Sequence, residues 1–442
     1  MPDTAAFPIP EGTALAMPSV VEERPEAEVI ASLLKDSARV PGPKAPQKNV
    51  WCYWHAGWAA MPPWTKRNVI AWSRRLAPSG WTVRVLDGVP GSPSNAIRFV
   101  PARMLPPALV ERRLAGPYAA THSADLIRLP LLYIFGGVWM DVGTILFGNL
   151  DDIWGDIADV SSPRKFSAFV YAVRGPDAPL SIVNNFLACN RGNGMVRRWH
   201  DTVIRVWGTA DRCDGLSQHP LLRHLAPYPS PDGKADPQKI MDYGVQVFCL
   251  ERLRELVDPK DRWDGPDYFS KNMLLLPASS EMWHYNNLAV DKGRKQFELL
   301  STRRPDGGLL RKEELEKSAA AESFVQDVLA NRFVMKLCHG LKDVLDEPLT
   351  SSWDDPQNDG VDCAPGTYAE YLRWGSVHLK QTRKLEPAVL EPLTTEPYKI
   401  GLYDPVPREG EVVKTPEEEV AGVKVKITEP DGRKLSVFAP CT

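Results

Sequence analysis

No stretch of this sequence approaches the ~18 uninterrupted apolar residues that a helix needs to span a bilayer, so no transmembrane helix is expected. The N-terminus lacks a basic segment followed by an apolar run, so no secretory signal is expected either, and the chain reads as cytoplasmic. Charge of one sign is also missing. Lys and Arg total 53 against 56 acids, a formal −3, which gives no electrostatic reason to expect nucleic acid as a partner. Seven cysteines (Cys52, Cys189, Cys213, Cys249, Cys338, Cys363 and Cys441) include no Cys-x-x-Cys pair and no zinc-ligand spacing. Odd in number and widely spaced, they read as reduced, buried thiols. What remains is an ordinary soluble composition. The 442 residues are 43% apolar and 25% charged, enough for a sizeable core and for two or three domains or one large domain with appendages. Fourteen tryptophans are many, but most tryptophans serve packing.

The stretch from Ser123 to Leu146 stands out. It sets Asp125, Arg128 and Asp141 in an otherwise apolar run, and a charge buried there needs a partner or a ligand. Ser123 is a good N-cap, which would put Asp125 in the first turn of a helix and Arg128 on the same face. Pro130 predicts a kink, or a helix that starts later. Gly136 and Gly137 end the helix, and Val138–Met140 reads as a short buried strand with Asp141 at its C-terminal end. In open α/β sheets ligands bind outside the carboxyl ends of strands, so the three charged residues are expected in one crevice.

The pattern Asp125, Arg128, an apolar helix, Gly136-Gly137, Trp139 and Asp141 resembles the glycosyltransferases of the capsular polysaccharide synthesis and DXD sugar-binding family. The resemblance covers roughly residues 48–345 and is strong at 123–144. It implies a glycosyltransferase-A fold, an α/β architecture with a mixed sheet flanked by helices, and a nucleotide-activated sugar as donor. The same resemblance implies roles. Asp125 and Arg128 would position sugar and ribose hydroxyls, and Asp141 would bind the donor and a divalent ion, Mn²⁺ or Mg²⁺. Trp54 would stack on the base, with His55 facing the diphosphate. Lys336 and His339 would grip the diphosphate. One departure is plain: the second acid of Asp-x-Asp would fall at 143, where this chain has Gly143. Asp151 and Asp152, or His284 and Asn286, are further metal-ligand candidates.

Elsewhere the chain divides into an N-terminal arm (1–47), a catalytic domain (48–345) and a C-terminal appendage (346–442). The arm is rich in proline and alanine, with one helix expected over Glu26–Ser37. Asn49–Trp54 predicts a strand, Lys66–Ala77 a helix and Trp81–Leu86 a strand, together a βαβ unit. Asn149–Trp154 reads as a surface turn, Phe166–Val173 as a strand, and Ser181–Ala188 and Met195–Trp207 as helices. Val245–Leu256 predicts a helix, Leu274–Pro277 a buried strand, and Glu322–Leu337 a helix or helix-strand unit. Residues 385–420 are dense in Pro and Glu, and Val423–Ile427 with Leu435–Val437 carries a β-hairpin signal.

The expected activity is transfer of a sugar from a UDP- or GDP-sugar to a glycan or small-molecule acceptor, with retention. The competing reading is a nucleotide-sugar-binding protein that has lost turnover, motivated by Gly143. A metal-dependent hydrolase would need a His/Asp cluster that the sequence lacks.

Overall fold

Strand β1 (Asn49–Tyr53) is buried at every position. That is why it reads as a continuous apolar run rather than an alternation: a parallel strand in the middle of a sheet is covered on both faces. The computed structural model describes residues 7–17, 21–172, 180–227, 236–284, 292–306, 311–337, 348–390, 393 and 395–407. Helix α1 (Pro63–Leu76) returns the chain from β1 to β2 (Thr82–Leu86), the expected βαβ unit. Helix α2 (Ala119–Phe135) then leads into β3 (Gly137–Met140), which pairs parallel with the other edge of β1.

After β3 the chain leaves this sheet for β4 (Thr144–Leu146), then returns as β5 (Phe166–Tyr171) and β6 (Ser181–Cys189). Helices α3 (Gly194–Trp207) and α4 (Val245–Glu255) precede β7 (Met273–Pro277). The result is one mixed six-stranded sheet, in the order β7-β5-β6-β3-β1-β2, with β6 antiparallel to both neighbours. It is flanked by helices, the architecture that the resemblance implies.

Period-two alternation sorts the strand residues between the two faces. Trp51, Trp139 and Leu187 enter the apolar cluster that also holds Leu126, Trp199 and Phe248, on the α2–α3–α4 side. Val50, Val138, Met140 and Ala188 enter a second cluster with Val69, Trp72 and Ile153. Each such side chain contributes roughly 1.5–3 kcal/mol on full burial.

A smaller sheet lies beyond the first. Strand β8 (Met282–His284) pairs parallel with β9 (Val334–Lys336), which follows helix α5 (Lys312–Asn331) and pairs antiparallel with β4. A third apolar cluster joins this sheet to α5 and to helix α6 (Tyr368–His378). The ends of the chain take part as well. The helix Glu26–Ala38 brings Leu33 into the second cluster, and Phe7 stacks on Tyr371 and Trp374 at 5.5 and 4.9 Å. Residues Thr13–Leu15 pair antiparallel with Leu379–Gln381.

Several local expectations are corrected. Ser181–Ala188 is a strand, not a helix: Ile182 and Val183 are β-branched, and the segment is clamped between β3 and β5. Asn149–Trp154 is not a surface turn, because Asp151 opens a helix to Ala158 that buries Ile153 and Trp154. Ser123 is no N-cap. Helix α2 begins at Ala119, and the Ser123 hydroxyl donates back to the Ala119 carbonyl at 2.7 Å. The helix continues through Pro130, and burial of most of its length offsets the roughly 3 kcal/mol that an interior proline costs. Gly136 and Gly137 do end it, at φ +67° and +102°. A Cβ on Gly137 would lie 2.3 Å from the Asn49 carbonyl oxygen, so this close approach of β3 to β1 demands glycine. The hairpin expected within 423–437 lies outside the described residues.

Candidate functional site

The site forms where the chain crosses from the large sheet to the small one. Residues 141–143 link β3 to β4, and α1 holds this turn from the side. Asn68 Nδ2 donates to the Val142 carbonyl at 2.8 Å, and Trp72 Nε1 to the Thr144 carbonyl at 3.0 Å. From the other side the Leu337 amide donates to the Gly143 carbonyl at 2.7 Å. Asp141 thus sits at the carboxyl end of β3 on a turn fixed by three hydrogen bonds, two from α1 and one from Leu337.

Four charged side chains alternate in sign across this point. Arg128 Nη2 lies 2.9 Å from Asp125 Oδ1 and 3.4 Å from Asp141 Oδ1, and Lys336 Nζ lies 2.9 Å from Asp141 Oδ2. Arg128 is nearly sealed, at 3% exposure of its side chain, whereas Asp141 keeps 28% open. A guanidinium so buried needs partners to offset its desolvation, and it has both carboxylates and the Asn184 carbonyl, 2.7 Å from Nη1. Its charge also lies 5.0 Å from the centre of the Trp139 ring, a cation–π contact.

The two acids are held differently. Burial pushes the Asp125 carboxyl up, and Arg128 beside it does not cancel the effect. Burial acts on Asp141 in the same direction but loses: the Lys336 and Arg128 charges, with donors from Lys336 and Trp139, hold it below the usual carboxylate range. Trp139 Nε1 donates to Asp141 Oδ1 at 2.9 Å, because residues two apart along a strand face the same way.

Asn184, Gln246 and Trp139 complete the site, and only Trp139 had a signal in the sequence, its spacing from Asp141. Asn184 Nδ2 donates to Asp125 Oδ1 at 3.2 Å and to Gln246 Oε1 at 2.9 Å, while Gln246 Nε2 donates to the Asp125 carbonyl at 2.6 Å. Reading 181–188 as a helix concealed Asn184, and nothing local marks Gln246.

A cleft of about 260 Å³ opens at the same sheet edge, off the carboxyl ends of β1 and β2. Tyr53, His55, Asp87 and Asn95 line it, with Ser123 and Ile127 of α2. Ser123 and Ile127 are four apart and share a face, whereas Asp125 and Arg128 point round the helix toward β6 and α4. The cleft and the charged cluster therefore flank the first half of α2. Trp54 is half-buried. It packs against the cluster containing Met140 and Val142, its ring 5.7 Å from that of His55.

The structure thus brings Asp125, Arg128, Asp141 and Lys336 together and puts His55 in the neighbouring cleft. Trp54 stands at the end of β1, between β2 and β3, and is not among the residues that line the cleft. His339 and Asn286 lie outside the described residues, as does the side chain of His284. Asp151 points elsewhere, 2.8 Å from Lys48 and 2.9 Å from Trp81 Nε1.

A divalent ion at Asp141 does not fit the described residues. Both carboxylate oxygens already accept from cations or an indole, Oδ1 from Arg128 and Trp139 and Oδ2 from the Lys336 ammonium. No group of three or more His, Cys, Asp or Glu side chains that could hold a metal occurs among the described residues. None of the described helices is long and apolar enough to cross a membrane.

The family described as capsular polysaccharide synthesis protein matches residues 22–215. The O-glycosyltransferase PaGT of Phomopsis amygdali is 47% identical over 414 residues, covering 90% of this chain and 97% of that protein. The O-glycosyltransferase braB of Annulohypoxylon truncatum is 39% identical over 91% of this chain and 96% of its own length. The glycosyltransferase afumC of Aspergillus fumigatus is 44% identical over 77% and 87% respectively.

Proposed function

The chain belongs to the capsular polysaccharide synthesis family and is a glycosyltransferase, and from that premise we propose that it moves a sugar from a nucleoside-diphosphate donor to an acceptor hydroxyl, with retention. The observation that carries this reading is the run Asp125–Arg128–Asp141–Lys336 at the carboxyl edge of the sheet, beside a cleft. Two cations there match a diphosphate, and Asp125 with Asn184 matches sugar hydroxyls. A donor laid along the edge would put its nucleoside in the cleft at β1 and β2 and its diphosphate at β3, about two strand spacings or ~10 Å away. That two relatives are named O-glycosyltransferases supports a hydroxyl acceptor.

The chemistry needs charge stabilisation more than a base. The bond from the anomeric carbon to the phosphate oxygen breaks, and its electron pair stays with the departing diphosphate. The acceptor oxygen bonds to the same face of that carbon, and its proton passes to the leaving phosphate oxygen. Arg128 and Lys336 are preorganised against the charge that grows on the diphosphate. Asp141 is a poor general base, because its oxygens are engaged and its pKa is held low. That favours transfer on the same face over activation of an acceptor from the opposite one.

The test is release of UDP or GDP from a panel of UDP- and GDP-sugars, with the anomeric configuration of the product read by NMR. We expect turnover with one donor class and a retained configuration. Failure of both UDP and GDP to bind in calorimetry would end the donor assignment, and an inverted product would end the retention claim.

A further inference from the structure

The missing acid at 143 has a structural cause, and the cause shows what replaced it. A Cβ built on Gly143 would lie 2.2 Å from the Leu337 carbonyl oxygen. The obstacle is backbone, not the end of a flexible side chain. Strand β9 is fixed there by pairing with β4, Lys336 opposite Thr144, and by the Leu337–Gly143 hydrogen bond. No side chain can leave position 143 while β9 keeps this register. The same Cβ would lie 3.8 Å from Lys336 Nζ, so the space toward which a second carboxylate would grow holds an ammonium.

We infer that the Lys336 ammonium takes the place of a divalent cation at Asp141, so that this transferase stabilises its leaving diphosphate without a metal. The inference rests on the nucleoside-diphosphate donor proposed above. Lys336 is 10% exposed in its side chain and anchored to Asp141 Oδ2. An ammonium has three donors, and Asp141 takes one, which leaves two for phosphate oxygens. The charge balance agrees. A second acid and a metal together would add one net positive charge to Asp141 and Arg128, and a lone lysine adds the same. Asp141 then serves as a positioning residue that aims Lys336, with Trp139 and Arg128 holding its other oxygen.

The test uses the full chain, first as wild type. Turnover and UDP or GDP affinity are measured after exhaustive EDTA treatment, and again with added Mn²⁺ or Mg²⁺. We expect both quantities to agree within about twofold across these conditions, a transition-state difference of less than ~0.5 kcal/mol. Calorimetry of Mn²⁺ alone should show no binding at the site. Lys336→Met keeps the aliphatic stem. It should lower kcat by about 100-fold or more, the usual loss when a preorganised charge-stabilising donor is removed. Lys336→Arg should retain part of that activity, and thermal melts check that both variants fold.

Loss of wild-type turnover in EDTA with recovery in Mn²⁺, or nucleotide binding only with metal, would overturn the inference and leave the donor assignment standing. Full turnover by Lys336→Met would also overturn it. Absence of nucleotide binding under every condition would instead remove the donor assignment, and the inference with it.

Discussion

Putting back the acid that position 143 lacks should damage this protein rather than improve it. Gly143 is not among the glycines with positive φ, so a side chain there meets no backbone penalty of that kind. The whole effect must come from contact. A Cβ 2.2 Å from the Leu337 carbonyl oxygen has to gain more than 1 Å, and the partner is the backbone of β9. Overpacking of this sort costs about 1–3 kcal/mol. Relief by moving β9 would also weaken the 2.7 Å bond between the Leu337 amide and the Gly143 carbonyl, worth about 1 kcal/mol. Together these give about 2–4 kcal/mol for Gly143→Ala, and at least that for Gly143→Asp. At ~2 °C per kcal/mol for a chain of this size or larger, the thermal midpoint should fall by about 4–8 °C. Gly155 is the control. It lies in the helix Asp151–Ala158 with nothing within 4 Å of its Cβ position, so Gly155→Ala should be neutral or stabilising by up to about 1 kcal/mol. Because displacement of β9 also moves Lys336, Gly143→Ala should lose turnover without any change of charge. A Gly143→Ala protein that melts with the wild type and turns over normally would show that the turn is not closed as described.

Three further outcomes are expected. Asp362 is bound by Arg67 and by Arg373, the latter at 2.6 Å, so Asp362→Asn removes the carboxylate shared by a buried and a part-buried guanidinium and should cost about 3 kcal/mol in equilibrium unfolding. Burial raises the Asp362 pKa, but Arg373 and Arg67 outweigh it and hold the carboxyl below its ordinary value. The unfolded chain (Asp near ~3.9) therefore binds the proton first, and this contribution is present above ~pH 4 and lost as pH falls through the lower folded value, a limb that Asp362→Asn should lack. Trp139→Phe keeps an aromatic ring beside Arg128 but removes the donor to Asp141 Oδ1 and trims a fully buried side chain, so it should lower kcat by about tenfold and cost about 1–2 kcal/mol in unfolding through the cavity it leaves. Because His55 lines the cleft and Trp54 does not, His55→Ala should weaken UDP or GDP binding in calorimetry while Trp54→Ala leaves it nearly unchanged; a loss of ~1–3 kcal/mol in Trp54→Ala would return the base to that indole.

Much of the fold was legible in the sequence because it depends on local pattern. The βαβ opening, α3, α4 and β7 follow from apolar periodicity and turn residues, and each appears within a few residues of its expected bounds. Ser181–Cys189 failed for a physical reason. A strand buried on both faces shows no alternation, and its apolar positions also fit a helical period. The helix at Asp151 failed because Asn149-Leu-Asp-Asp opens like a turn, whereas Trp154 and Ile157 are claimed by the second cluster. The N- and C-terminal segments read as an arm and an appendage by composition. Phe7, Leu33, Tyr371 and Trp374 nonetheless lie in the core, since proline-rich composition does not prevent a few aromatics from packing.

The site divides along the same line, between what is local and what is brought together by long-range pairing. Asp125, Arg128, Trp139 and Asp141 lie within seventeen positions of sequence, and their convergence follows from one helix, two glycines and one strand. Lys336 pairs with Asp141 across 195 positions, and only the β4–β9 register delivers it. From sequence alone, glycine at 143 looks like a lost ligand and argues for a weakened enzyme. In the folded chain the glycine is what permits β9 to close on the turn and carry a lysine to Asp141. The absence of an acid and the presence of that lysine are thus one structural event, because any side chain at 143 would hold β9 away. A relative that keeps an acid at this position should therefore also lack the tight β9 contact, and a chain in which both occur together would break the link between them.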